Sequence, residues 1–282
     1  MDEITIVENL KLEIQKIVSN LKNVEYASFV GRFGYKEVPK LLEVNDLDLY
    51  LIVTHFQRFK LKQFVENLEL LCNKASREGL IIFPLLIDGP FKPQPKVGSK
   101  ILLVHIIMDD LTSLKSRYKN SLPTLISFSK YESFNGSFNF KITHSVDAHH
   151  LLNSKFGLTN CIKYIRSGYV PMSYYNHSKE RFDTLKVDLV GYYFLYFLAY
   201  SVFHNCRNFI RYRYSNYEAR YTEEVLEFIN YSTGLNDLFC DASSILSLMD
   251  KIRYSGFYEL KDMDSISKTA IRALMTIERS SE

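Results

Sequence analysis

Two aspartates, Asp46 and Asp48, open an apolar run that reads "DLDLYLIV" and ends at Val53. The run from Leu47 to Val53 predicts a buried β-strand, in which successive side chains point to opposite faces. Asp46 and Asp48 therefore project from the same face, with their backbones about 7 Å apart. Because each negative charge raises the cost of ionising the other, the pair needs a physical reason to be there.

A short segment with two glycines, "GRFG", precedes this strand and follows another strand predicted over residues 25–30. Without side chains, Gly31 and Gly34 let backbone N–H groups approach a phosphate closely. Paired aspartates can share Mg²⁺, a hard cation that prefers oxygen ligands, and the ion can bridge the phosphate oxygens of a nucleotide. The pattern favours a phosphate and metal site. The alternatives are a strand-start cap at Asp46 and ordinary turn glycines.

The first 115 residues alternate between helical and strand-like patterns. Helical spacing covers two stretches, and short apolar runs mark four strands. The run "DGPFKPQPKVGS" separates the last two strands and predicts a long hairpin loop between them. The order indicates an α+β domain with a small mixed sheet flanked by helices. The predicted helices are 4–22 and 59–76, and the predicted strands are 25–30, 47–53, 80–87 and 100–108.

Strand signals weaken after about residue 110, and the C-terminal half has helical periodicity. We expect an α+β domain at 1–120, a linker or irregular segment at 121–145, and an all-α helical bundle at 146–282. The predicted helices of the bundle are 158–168, 180–213, 218–231, 236–254 and 262–279.

The segments "GRFG" and "NDLDLYLIV", with the helix and strand before them, resemble the polymerase-beta-like nucleotidyltransferase superfamily over residues 4–115. Its hallmark is a glycine–serine turn followed by an Asp-x-Asp strand, usually with a third acid on a later strand. The resemblance implies transfer of a nucleoside monophosphate from a nucleoside triphosphate to an unknown hydroxyl or amine acceptor. It implies a catalytic pair that holds Mg²⁺ (or Mn²⁺), and a nucleotide-binding turn. The pair is Asp46 and Asp48, and the turn is Gly31, Arg32 and Gly34.

Two positions depart from the pattern of that superfamily. Arg32 stands where the serine is expected, and a guanidinium can contact phosphate through two parallel hydrogen bonds. His105 stands at the centre of the strand "KILLVHIIMDD", where the third acid is often found. We predict His105 as a catalytic group and Asp109 as a further metal ligand, with Asp110 as another candidate. The alternatives are a core histidine at 105, and a helix N-cap and first turn at 109 and 110.

Two other functions stay open at this point. One is a catalytically degenerate member of the superfamily that binds a nucleotide or a protein partner, as in toxin–antitoxin pairs, or forms a homodimer. The other is an RNA-modifying enzyme that uses the arginines and tyrosines of "HNCRNFIRYRYSNYEARY", of which Arg207 and Arg211 share a helix face. Nucleic acid is not favoured, because the formal net charge is only +3.

We expect a cytoplasmic bacterial protein. The four cysteines form no CxxC pair, and the N-terminus lacks the basic-then-apolar order of a signal peptide. The most apolar stretch, 189–203, has about 15 residues, whereas a helix that crosses a bilayer needs about 20. Many Tyr, Phe, Lys and Asn residues with no Trp are consistent with an AT-rich bacterial genome.

Overall fold

The chain was analysed as a computed structural model. The structure describes residues 3–34, 46–56, 59–77, 80–88, 99–139, 141–142, 145–176, 178–179, 181–215, 222–232, 234–255 and 263–281. The chain divides into two compact units, each built from three stretches of sequence. The first comprises Met1–Ser116, Ile126–Lys141 and Pro171–Leu185, and the second comprises Arg117–Leu125, Ile142–Val170 and Lys186–Glu282.

The first unit contains a five-stranded mixed sheet with strand order β3-β5-β2-β1-β6. Strand β2 is antiparallel to β1 and parallel to β5, while β3 is parallel to β5 and β6 is antiparallel to β1. The prediction of an α+β fold with a small mixed sheet is confirmed. The strands are β1 (Val24–Val30), β2 (Asp46–Val53), β3 (Ile81–Leu85), β5 (Ile101–Asp110) and β6 (Ser133–Gly136).

One face of this sheet packs with helices α1 (Glu3–Ser19) and α2 (Leu61–Ala75) in a single apolar core. On β2 every second residue, Leu47, Leu49 and Leu51 among them, belongs to that core and is fully buried. A slip of one residue would move all of them out of that core and onto the face that carries Asp46 and Asp48, and burial of each leucine contributes about 1.5–3 kcal/mol. The register is therefore fixed, and it places both strand aspartates on the opposite face.

The predicted hairpin between the third and fourth apolar runs is wrong, because β3 and β5 are parallel. Parallel neighbours need a crossover connection rather than a tight loop. Part of that connection, β4 (Ile87–Asp88), belongs to a second sheet of three strands. There it pairs with β7 (Tyr169–Asn176), and β7 in turn neighbours β8 (Arg181–Asp188). Buried parallel strands read as continuous apolar runs, so the sequence pattern does not reveal strand direction.

The segment predicted as a helix from residue 180 onward begins instead with a strand. Strands β7 (Tyr169–Asn176) and β8 (Arg181–Asp188) precede helix α7 (Gly191–Arg213). The prediction of helix over 181–188 is therefore wrong, and the region predicted as entirely helical contains a β-hairpin. Most of β8 is at least partly exposed, so it has no clear apolar alternation to distinguish it from a polar helix start.

Helices follow β5 along most of the remaining chain. In the second unit, α7, α9 and α10 contact one another, and α8 contacts α7 and α9. None of the helices in the described ranges is both long enough and apolar enough to cross a membrane. The remaining helices are α3 (Leu111–Asn120), α4 (Leu122–Phe128), α5 (Ala148–Asn153), α6 (Leu158–Ser167), α8 (Thr222–Tyr231), α9 (Asn236–Ser255) and α10 (Met263–Arg279).

Candidate active site

The Asp48 carboxylate meets His105 across two parallel strands. In the register of β2 and β5, these two residues are direct partners. Nδ1 of His105 lies 2.7 Å from Oδ1 of Asp48, which is hydrogen-bonding distance. The histidine side chain is 4% exposed, whereas the aspartate side chain is 20% exposed. The contact therefore fixes one oxygen of a carboxylate that solvent can still reach.

The predicted glycine turn lies against the other oxygen of the same carboxylate. Residues Gly31–Gly34 form a single 3₁₀ turn directly after β1. Gly31 has φ +68°, and a Cβ at this position would lie 2.7 Å from Oδ2 of Asp48. Only glycine combines this backbone conformation with so close an approach. The turn and the carboxylate, 17 residues apart in sequence, are thus brought into contact.

The second glycine of the turn is also in a crowded position. A Cβ on Gly34 would lie 2.4 Å from the carbonyl oxygen of Phe29 and 2.5 Å from the ring of Tyr131. Phe33, between the glycines, is 2% exposed and belongs to the apolar core. The core thus anchors the turn from inside. The side chain of Arg32 lies outside the described part of the structure, so its predicted phosphate contact stays a prediction.

Asp46 lies two residues before Asp48 on the same face of β2, and it is half-buried. In the register its partner on β5 is Leu103, so the neighbouring strand presents an apolar side chain there. Across the described ranges, no group of three or more His, Cys, Asp or Glu side chains is arranged to hold a metal ion.

Asp109, the predicted third metal ligand, lies at a distance from this pair. It is four residues beyond His105 on β5, or about 13 Å along the strand. Its carboxyl group accepts hydrogen bonds from Tyr50 Oη at 2.9 Å and from Ser113 Oγ at 3.0 Å, and the residue is 2% exposed. The structure therefore brings Asp48 and His105 together and does not bring Asp109 to them.

Asp110 caps the helix that follows β5. Its Oδ1 accepts hydrogen bonds from the backbone N–H groups of Thr112 at 3.0 Å and Ser113 at 2.7 Å, in the first turn of α3. This is the geometry of an N-cap residue. The alternative interpretation, with the N-cap and first turn at 109 and 110, is therefore one residue early: Asp110 is the cap, and Asp109 belongs to β5.

An aromatic cluster covers the part of this sheet face that surrounds Tyr50. The ring of Tyr50 lies 6.0 Å from that of Tyr26 and 4.6 Å from that of Phe128, and Tyr26 is 5.2 Å from Phe138. Burial raises the pKa of the Tyr26 hydroxyl. The sequence did not predict this aromatic cluster, because residues 121–145 have no interpretable periodicity. The concentration of phenylalanines in that segment was the only available signal.

Comparisons of this chain with models of protein families, with curated proteins and with solved structures found no match. Any functional assignment therefore depends on the geometry of the residues themselves.

Proposed function

We propose that this chain is a metal-dependent nucleotidyltransferase, which transfers a nucleoside monophosphate from a nucleoside triphosphate to a hydroxyl or amine acceptor and releases pyrophosphate. One observation carries the proposal. A glycine turn contacts the Oδ2 atom of Asp48, on a strand that presents Asp46 on the same face. A backbone turn suited to phosphate thereby adjoins carboxylates suited to a divalent cation.

The donor set fits Mg²⁺ or Mn²⁺ carried with a substrate. Asp46 and Asp48 offer only oxygen donors, and Mg²⁺ is usually bound through one or two carboxylates together with substrate phosphates and water. Two carboxylates on one strand face are therefore sufficient protein ligands for this ion. When bound, the ion would neutralise charge that develops on the phosphate oxygens during transfer.

Side chains and backbone groups of the protein would orient the cation and the triphosphate. Donation from Nδ1–H of His105 holds Oδ1 of Asp48, so Oδ2 stays directed at the turn. The N–H groups of the turn would bind the triphosphate, with Arg32 as a further phosphate contact. His105 thus acts as a positioning residue for Asp48. By this proposal residues 1–120 are the nucleotidyltransferase-like domain, and the later helices form the helical bundle of such proteins.

A transfer assay with a matched pair of variants tests the proposal. The wild-type chain, Asp48→Asn and Asp109→Asn are incubated with Mg²⁺, nucleoside triphosphates labelled at the α-phosphate, and pools of small amines and alcohols, proteins or RNA. Labelled product and pyrophosphate are measured. Asp48→Asn is expected to lower the rate at least about 100-fold, as loss of an electrostatic contact in the transition state does. Asp109→Asn is expected to have the wild-type transfer rate per folded molecule. Equal rates in the wild type and Asp48→Asn contradict the proposal.

One observation favours a second candidate, a nucleotidyltransferase-fold protein without catalysis that binds a nucleotide or a protein partner. His105, a poor ligand for Mg²⁺, is the residue paired with Asp48 on the neighbouring strand. Calorimetric titration with Mg–ATP and Mg–GTP separates the candidates. Binding without turnover supports a nucleotide-binding module, and absence of any nucleotide binding supports a module that recognises a partner chain.

A further inference from the structure

The second unit contains a cavity of about 540 Å³ between the end of α7 and the helix α8. This volume is within the range of roughly 300–1,000 Å³ that is usual for small-molecule sites. The residues that line it include four aromatic side chains, one cation and one anion, namely Phe209, Tyr214, Phe228, Tyr231, Arg213 and Glu227. None of them belongs to the carboxylate site of the first unit.

Helical spacing explains how these side chains converge. Phe209 and Arg213 are four residues apart on α7, and Glu227 and Tyr231 are four residues apart on α8, so each pair shares one helix face. Tyr214 directly follows α7, and its backbone N–H donates to the carbonyl of Ile210. Two regular helices therefore carry five of the eight lining residues within the described part of the chain.

The aromatic side chains leave large ring surfaces exposed. Tyr231 is 79% exposed and Tyr214 is 52% exposed. The ring of Phe228 packs edge-on against Tyr214, with centroids 5.0 Å apart and an interplanar angle of 71°. Exposed tyrosines beside a cavity are typical of binding surfaces, because their rings add contact area with little loss of side-chain entropy. These rings suit a planar aromatic ligand.

Two charged groups complement the rings. The guanidinium of Arg213 lies 5.6 Å from the centroid of the Phe209 ring and donates to the carbonyl oxygen of Ser280. These contacts hold the group in place, and its other N–H donors suit a phosphate. The exposed carboxylate of Glu227 only accepts hydrogen bonds when ionised. A matching ligand carries an anionic group and an edge with adjacent N–H donors.

We propose that this cavity binds a guanine nucleotide. The base stacks on Tyr231, its N1–H and N2–H groups donate to Glu227, and its phosphate pairs with Arg213. Guanine is the common base that presents two adjacent donors on one edge, as an acceptor-only carboxylate requires. The same chemistry is offered by free guanosine monophosphate and by a guanosine within single-stranded RNA. The site does not depend on the proposed transferase site.

Calorimetric titration in a background that removes the other site tests the inference. Full-length Asp48→Asn protein in EDTA is titrated with guanosine monophosphate, with adenosine monophosphate, and with a short oligouridine RNA that contains one guanosine or none. We expect the guanine mononucleotide to bind at least about fivefold more tightly than the adenine one. Adding Tyr231→Ala weakens binding roughly tenfold, as loss of one stacked base does. Adding Glu227→Gln removes the preference for guanine.

Tyr192→Ala is the control for a general effect of removing an exposed tyrosine. Tyr192 lies in the first turn of α7, is 41% exposed and does not line the cavity. Equal affinity for the mononucleotide and the guanosine-containing RNA identifies the free nucleotide as the ligand. Binding of that RNA at least tenfold more tightly identifies a strand, and both results support the site. Absence of guanine binding, equal binding of adenine, or equal effects of Tyr231→Ala and Tyr192→Ala overturn it.

Discussion

Two carboxyl groups on one face of the β2–β5 strand pair have similar partners and different surroundings. Asp48 pairs with His105 at 2.7 Å, and Asp109 pairs with Tyr50 at 2.9 Å, each across the same two strands. The Asp48 side chain is 20% exposed and lies against the turn at Gly31, while Asp109 is 2% exposed. The same strand pair thus carries one carboxylate that solvent reaches and one that protein encloses.

The difference between them follows from what covers the sheet face. Around Tyr50 the aromatic cluster excludes water, and a carboxyl group in such a place needs donors from the protein to offset its lost hydration. Ser113 supplies one and Tyr50 another. At Asp48 the adjoining residue is Gly31, which has no side chain to cover the carboxylate. Burial with hydrogen bonds is typical of a structural carboxyl group, and partial exposure beside a glycine turn is what the proposed binding role of Asp48 requires.

The largest effect is expected from Gly31→Ala. A methyl group there would lie 2.7 Å from Oδ2 of Asp48, so the carboxylate must move. We expect about a 100-fold loss of nucleotide transfer, since a displacement of about 1 Å at a reacting group can have that effect. The rate of labelled product formation by the folded variant measures it.

Gly168→Ala is the matched control for that substitution. Gly168 has nearly the same backbone conformation, φ +69°, but a Cβ there meets nothing within 4 Å. Because alanine disfavours the left-handed backbone conformation, both substitutions are expected to lower the free energy of unfolding by about 1–2 kcal/mol. Only Gly31→Ala is expected to lose activity, and similar losses in both would show that the turn acts through stability alone.

A smaller effect, on stability, is expected from Tyr50→Phe. The substitution removes the hydroxyl that donates to the buried Asp109 carboxyl group. We expect the free energy of unfolding to fall by about 1–3 kcal/mol, with unchanged transfer activity per folded molecule. Urea denaturation followed by circular dichroism measures it. Tyr231→Phe, at a tyrosine that is 79% exposed, is the control and should have little effect on unfolding. A loss of activity in stable Tyr50→Phe would place Asp109 in the reaction.

The sequence pattern was informative where one face of an element is buried. The apolar run over residues 47–53 predicted β2, the alternation of strand side chains predicted the shared face of Asp46 and Asp48, and helical spacing predicted α2, α9 and α10. These predictions depend on local periodicity, which burial on one face imposes directly.

Long-range pairing was not predictable in the same way. The parallel direction of β3 and β5, and the return of residues 126–141 to the first unit, depend on contacts far apart in sequence. The sequence also predicted Asp109 as a metal ligand, although its carboxyl group accepts hydrogen bonds from Tyr50 and Ser113. The contact of His105 with Asp48 follows from the register of two strands 57 residues apart. Local spacing carries no information about that register.

The most direct test of a binding role for Asp48 is whether the affinity of the protein for a nucleotide depends on Mg²⁺ and on this carboxylate. A non-hydrolysable nucleoside triphosphate is titrated calorimetrically into Tyr231→Ala protein, in which the proposed guanine site is weakened, with Mg²⁺ or with EDTA. Asp48→Asn and Asp109→Asn are compared in that background. We predict that binding requires Mg²⁺, weakens at least about tenfold in Asp48→Asn and changes little in Asp109→Asn. Equal affinity with and without Mg²⁺, or equal affinity of the two aspartate variants, would contradict the account.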